Sequence, residues 1–282
     1  MYLVSCLGNS TLAAVIVSER SLHKPMYINI FVLALVDLSL SGCIIPKVMA
    51  ILWFDSNIIT VEACLIQMFF FYNMQGSELY IFTLMSYDRC VSICRPLRYP
   101  TMITNSFTIQ SLLFFITWDL VLLCPIPYLT TRLQYCKSNI VLNAFCEHLS
   151  VTNLACGDMT PNNIYMYLLV CINSLTGFML VAVSYFLILR VVLKLRSSEA
   201  RKKAFGTCTP HIIVMMFFHL SSLFSFLVYL FSSHVPMHVQ VITSVLNSLL
   251  LPMLNPIVYG IRMKEIRQGL KKLSGRIGGC MM

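Results

Sequence analysis

A chain of 282 residues that is 58% hydrophobic and 11% charged, with a mean hydropathy of +0.79, cannot cover a water-soluble surface of the ordinary kind, because soluble domains carry about 25% charged residues. The formal charge of +9 would suit a nucleic-acid partner, but the 20 lysines and arginines fall between long apolar runs and make no basic face with interleaved aromatics. What remains is a helical membrane protein, with the lipid bilayer as its surroundings and no nucleic acid as partner.

Seven apolar segments follow one another at about 2–18, 28–54, 64–88, 107–130, 163–189, 204–231 and 239–261. The first is short: residues 2–17 as a helix reach about 24 Å, against a hydrocarbon core of about 30 Å. A secretory signal would resemble it in length, yet the basic residues follow the run instead of preceding it. Met159 to Leu189 contains no Lys, Arg, Asp or Glu, and neither does Ala204 to Ile261. The second of these stretches is interrupted by Ser232-Ser233-His234-Val235-Pro236, so it reads as two helices and a turn. Seven spans place the two ends on opposite sides. Seventeen of the 20 basic residues fall in the 19–27, 89–101 and 190–203 links and in the tail from Arg262 onward. Arg132 and Lys137 fall on the other side, and Lys47 at the outer end of span two. The positive-inside rule then puts the N-terminus outside and the C-terminus in the cytoplasm.

Four of the 12 cysteines, Cys64, Cys136, Cys146 and Cys156, lie on the oxidising side, where they can pair in three ways. The other eight read mostly as small buried hydrophobes. Cys280 near the inner end is a candidate for palmitoylation, without a C-a-a-X box. The chain has no CxxC pair, so a metal–thiolate site has little support.

Charges inside the spans need another reason to be there. Asp37 and Glu78 lie well within spans two and three, too deep for a surface explanation, with Asn9 and Asn255 as plausible polar neighbours. Asp88-Arg89 closes span three, either as a boundary marker with snorkelling charges or as a working site. Met68, Tyr72, Gln75 and Gly76, continued by Leu79, share one face of span three. Pro252 and Asn255-Pro256 interrupt the backbone bonding of span seven and predict a kink. Beyond Arg262, residues 264–273 place Ile266, Leu270 and Leu273 on one face with lysines elsewhere, an amphipathic helix for the inner membrane surface.

The order of short motifs is more specific than any one of them. Gly8-Asn9 stands in span one, LHKPMY (22–27) before span two, and Asp37 inside it. SYDRCVSICRPLRYP (86–100) follows span three, and Trp118 lies in span four. Ser184-Tyr185 comes in span five, KAFGTCTPH (203–211) opens span six, and PMLNPIVYGIRMKEI (252–266) closes span seven. Over nearly the whole chain this resembles the vertebrate olfactory (odorant) receptors, a branch of the rhodopsin-like G-protein-coupled receptors. The Thr-Pro-His end of the span-six motif is similar to the fish-type, or class I, branch.

That resemblance implies an all-α seven-transmembrane bundle, a single domain over 1–282, in the plasma membrane of olfactory sensory neuron cilia. It implies a small-molecule odorant as ligand and a heterotrimeric G protein of the olfactory stimulatory type as cytoplasmic partner. Cys64 with Cys146 would staple the top of span three to the outer loop, and Cys136 with Cys156 would add a second bridge. The odorant cavity would lie between spans three, five, six and seven, lined by Met68, Tyr72, Gln75, Gly76, Leu169, Asn173, His219, Ser222, Leu223, Phe226 and Ser248, each of which plain helix packing would also explain. Coupling would involve Asp88, Arg89, Tyr185, Lys203, Asn255, Pro256 and Tyr259. Asp37, Glu78 and Asn255 can hold a sodium ion that stabilises the inactive state, the only cofactor implied; a protonated acid in a hydrogen-bond network is the alternative.

The sequence departs from the family at Cys90, where a tyrosine usually follows Asp-Arg, and at His219, also a common tyrosine position. Family members carry an outer segment before span one, so more chain is expected upstream of Met1. The sequon Asn9-Ser10-Thr11 falls inside a helix, where it should stay unmodified. A transporter would need paired half-helices or internal repeats. An embedded enzyme would need a catalytic constellation that the scattered histidines 211, 219, 234 and 238 do not form.

Overall fold

The structure is a computed structural model that describes residues 1–136, 139–231 and 234–280; the side chains of Lys203, Tyr229, Leu230 and 275–280 stand outside the description. Lys137 and the Ser232-Ser233 turn therefore lie outside the described residues, and of Lys203 only the backbone is placed. Span one is the helix Tyr2–Ser18, span two Pro25–Phe54, span three Val61–Cys94 and span four Asn105–Leu123, which Pro125–Thr131 continues. Span five is Thr160–Lys194, span six Ser198–Leu230, span seven Met237–Arg262, and a terminal helix covers Lys264–Cys280. Five of these are long and apolar enough to cross a membrane by length and composition alone: spans two, four, five, six and seven. Span three carries Gln67, Asn73, Gln75 and Glu78 on its way through the bundle, which fits its central position against spans two, four and five.

Helix starts follow ordinary capping chemistry. The Thr60 and Thr104 side chains accept from the backbone amides of Ala63 and Phe107, which satisfies donors that spans three and four leave open. Pro25 occupies the first turn of span two, where its missing N–H costs nothing. Span three does not end at the Asp88-Arg89 pair; it runs a further turn and a half to Cys94, so the two charges sit within helix.

The core runs down the middle of the bundle. Ile30 and Leu33 of span two, Phe82 and Met85 of span three, Met215 of span six and Tyr259 of span seven are almost completely buried. The outside is apolar too. Leu113, Phe114 and Val121 of span four and Leu168, Ile172 and Leu175 of span five are each more than half exposed. A soluble monomer rarely shows an apolar patch beyond a few hundred Å²; here whole helix faces are apolar, as lipid contact requires.

Gly8 and Gly76 are among the glycines that permit close helix approach. A Cβ on Gly8 would lie 2.7 Å from the ring of Pro256, and one on Gly76 would run into the carboxylate of buried Asp119 on span four. Gly76→Val forces spans three and four apart at about 1–3 kcal/mol, as overpacked cores do. It should lower surface staining of the tagged receptor several-fold, whereas Leu113→Val on the exposed face of span four should leave staining within the spread of the parent.

The terminal helix packs more closely than an interfacial helix need do. Ile266, Leu270 and Leu273, the face expected to meet the membrane, turn onto the core beside span one. Lys272 Nζ lies 3.0 Å from Glu19 Oε2, tying this helix to the first inner link.

Candidate functional site

The end of the bundle that the charge pattern assigns to the outside is closed by a loop held in two places. Cys64 and Cys146 are joined, with Cα atoms 5.3 Å apart, and Cys136 is joined to Cys156 at 5.8 Å. Beside the first bridge the Gln67 amide oxygen accepts from the Cys146 backbone N–H at 2.9 Å, and its nitrogen donates to the Cys43 carbonyl at 2.8 Å. An isolated antiparallel bridge between Tyr135 and Ala155 accompanies the second disulfide. Phe145 inserts against Phe71 of span three, ring centroids 4.9 Å apart. The next acid in the loop, Glu147, accepts from Asn143 Nδ2 at 2.8 Å and from Ser244 Oγ of span seven at 3.1 Å. Burial pushes the Glu147 carboxyl up, against the pull of those two donors. Burial likewise lowers the His148 imidazole, which the hydrogen bond to Asn162 Oδ1 at 2.8 Å partly opposes.

The residues predicted to line the cavity separate into groups. Met68 is fully buried and packs with Leu123, Ile126 and Met166, with Tyr72 and Leu169 against the same cluster. Asn173 accepts from the Tyr80 hydroxyl at 3.0 Å across spans three and five. His219 lies edge-on to Phe178 and Phe218, and Ser248 donates back to the Ser244 carbonyl at 2.8 Å. Gln75, Ser222 and Phe226 are partly buried. Gly76 sits at the seam with span four, against Asp119, so its place is explained by packing. Leu223 needs correcting: it is 53% exposed. The helical period puts it in one stripe with Met216, Leu220 and Leu227, all exposed, and one step away from the face that carries Ser222 and Phe226. Two recesses of about 500 and 420 Å³ open elsewhere, one lined by Thr83, Gln110 and Ser184 among others, the second between Ser39, Gln67 and Met74.

Mid-bundle, a polar cluster joins spans one, two, three and seven. Pro256 has no N–H for the Pro252 carbonyl, and the Asn9 side chain supplies the missing donor at 2.7 Å. Asn255 Nδ2 donates to Asp37 Oδ2 at 2.8 Å, and the Glu78 carboxyl lies within electrostatic reach of Asp37. Asp37 Oδ1, Glu78 Oε1, Asn255 Oδ1 and Asn9 Oδ1 are buried without a hydrogen-bond partner. Oxygens left bare in this way are the donor set a hard monovalent or divalent cation prefers, so the residues fit a sodium ion.

At the inner end Asp88 is buried and accepts from the Tyr99 hydroxyl at 2.9 Å. Burial and that carboxylate push the Tyr99 phenol up. Arg89 makes no ion pair with Asp88 among the described residues; its guanidinium rests on the Met26 sulfur of the LHKPMY segment. Adjacent helix positions point about 100° apart, so an acid and base at i and i+1 do not face one another. Tyr185, Tyr259 and His211 lie within electrostatic reach of Arg89. The Tyr185 and Tyr259 hydroxyls are buried without partners, and the His211 ring sits 5.5 Å from that of Tyr259. Cys90 packs with Ile188, Val192 and Cys208 between spans three, five and six.

Sequence reasoning missed Gln67, Met26, Tyr99 and Glu147. Glu147 had a signal: it follows directly on Cys146, so whatever pins that cysteine over span three also fixes the acid.

The comparisons with known proteins agree with this geometry. The family model described as "Olfactory receptor" matches residues 1–275. Olfactory receptor 52B2 of Homo sapiens is 41% identical over 270 residues, 96% of this chain and 84% of the relative. Olfactory receptor 56A4 is 39% identical over 277 residues, 98% and 88% of the two chains, and Olfactory receptor 56A1 is 40% identical over 276, both also of Homo sapiens. A family matched over nearly the full length, a wholly helical bundle and apolar outer faces place this protein in the olfactory receptor family, multi-pass G-protein-coupled receptors for odorants that catalyse no reaction.

Proposed function

We propose that a small odorant binds under the disulfide-held outer loop and shifts the bundle toward an arrangement whose inner face engages a heterotrimeric G protein of the olfactory stimulatory type. The ligand acts only through the difference between its affinities for the two arrangements. The reading rests above all on the inner cluster: Arg89 within electrostatic reach of Tyr185, Tyr259 and His211, with two buried hydroxyls unpartnered. Buried polar groups without partners are costly, so a rearrangement that lets the two tyrosines reach Arg89 or water is favoured once span six moves. Lys203, at the inner start of span six, would meet the G protein, and the kink at Asn255-Pro256 would carry the movement of Tyr259.

In the resting arrangement Asp37, Glu78 and Asn255, with Asn9, would hold a sodium ion; the ion supplies positive charge to carboxylates that otherwise share a proton. The amino end faces outward and the basic tail the cytoplasm, in the plasma membrane of olfactory sensory neuron cilia. The experiment is a cAMP reporter in cells expressing the tagged receptor, screened with amino acids, acids and small volatiles. A concentration-dependent rise is expected, with the C-terminal tag stained only after permeabilisation. A C-terminal tag reachable on intact cells, or purified receptor that never accelerates nucleotide exchange on the stimulatory heterotrimer, would rule the proposal out.

A further inference from the structure

Glu147 is a carboxylate at the mouth of the bundle that makes no ion pair among the described residues. Both of its hydrogen bonds go to Oε2, and Oε1 takes none among the described residues. The arginine and the lysine described on this side are engaged elsewhere. Arg132 is bonded to the Tyr128 hydroxyl at 2.8 Å and lies over that ring, and Lys47 donates to the Ser56 and Ile58 carbonyls. His148, its neighbour in the chain, is turned to Asn162.

The surroundings are aromatic. Phe145, two residues earlier, packs on Phe71, which meets Tyr72 at 5.0 Å. Tyr72 is within electrostatic reach of the Glu147 carboxylate, and Val245 of span seven packs on the same cluster. A carboxylate partly withdrawn from water in such a place loses solvation that its two hydrogen bonds replace only in part and that a proton or a cation completes. Aromatic faces beside a carboxylate are also what attracts an ammonium group, through the negative face of each ring.

Resting on the receptor reading above, we propose that the ligand class is a small primary amine in its ammonium form, held by Glu147 beside the aromatic cluster of Phe71, Tyr72 and Phe145, with its alkyl part directed into the bundle. Gln67 and the Cys64–Cys146 bridge hold the loop so that the acid is in place before the ligand arrives.

The test sets hexylamine against hexanol and hexanoic acid in the cAMP reporter, with surface staining of every variant. Hexylamine should be more potent than hexanol by about thirtyfold or more, the range found when one member of a buried charge pair is removed. Glu147→Gln should bring that ratio close to one, and Glu147→Asp should keep most of it; a merely structural acid would lower both potencies together. Equal potencies on the parent receptor, a preference for the acid, or no response to hexylamine from receptor present at the surface each overturn the ammonium assignment. A response to hexanol or hexanoic acid in those cases leaves the odorant-receptor reading standing. Loss of G-protein exchange toward every compound, and in the basal state, removes that reading as well.

Discussion

Arg89→Ala should abolish odorant-driven cAMP while leaving surface expression largely intact. The residue is half-buried at the inner end of span three, and its guanidinium does not brace Asp88. Asp88 is held by Tyr99 instead, so truncating Arg89 leaves that hydrogen bond in place. What is lost is the charge that faces Tyr185, Tyr259 and His211 and the contact with Met26. Truncating one partner of a buried, hydrogen-bonded charge pair between proteins costs about 2–5 kcal/mol, enough, where Arg89 meets the G protein, for a fall of well over tenfold in coupling. The fold is expected to tolerate the change because Ile81, Phe82 and Met85, a turn or two above, carry the packing of this part of span three. The measurement is cAMP against ligand concentration, normalised to staining of an outer tag. Normal signalling from Arg89→Ala would show that the cluster around it is packing and nothing more.

Much of the architecture was readable in the chain because membranes limit the choices. Where no water reaches the backbone, apolar runs must be helices, so Met159–Leu189 and Ala204–Ile261 had one reading each. Helix extents beyond the apolar run were not readable: span three runs on through Asp88 and Arg89 to Cys94, since the same helical backbone continues into the aqueous side without any change of period. Side-chain roles were legible where a backbone rule forces them. Pro256 removes a donor from the Pro252 carbonyl, which the sequence shows, while only the structure shows that Asn9 replaces it. They were illegible where the decision depends on rotation by one residue. Leu223 and Ser222 are neighbours in sequence, yet one lies in the exposed stripe and the other on the inner face. The partners of Arg89 and Glu147 come from Met26 and Ser244, some 63 and 97 residues away in the chain, and no local pattern encodes such distances.

Cys146→Ser should be far more damaging than Cys136→Ser, although both cysteines belong to the same loop. The Cys64–Cys146 bridge closes a loop of 82 residues and the Cys136–Cys156 bridge one of 20. On the chain-entropy account these restrict the unfolded chain by about 4–5 and about 3 kcal/mol. The larger difference lies in what each bridge holds. Cys146 is 2% exposed, its backbone is bound to Gln67, and it stands between Phe145 on Phe71 and Glu147 on Ser244. Releasing it frees the whole lid from span three. Releasing Cys136 leaves the Cys156 backbone amide still bound to the Gln134 carbonyl at 2.9 Å and Tyr135 still bound to Thr130. The outer tag should therefore disappear from the cell surface in Cys146→Ser and in Cys64→Ser alike, and the double variant should be no worse than either, because one bond is lost in all three. Cys136→Ser should retain a substantial fraction of the parent's staining. Flow cytometry of the four variants decides it: equal losses at Cys136 and Cys146 would mean that the two bridges bear the same share of the lid, against the packing described above.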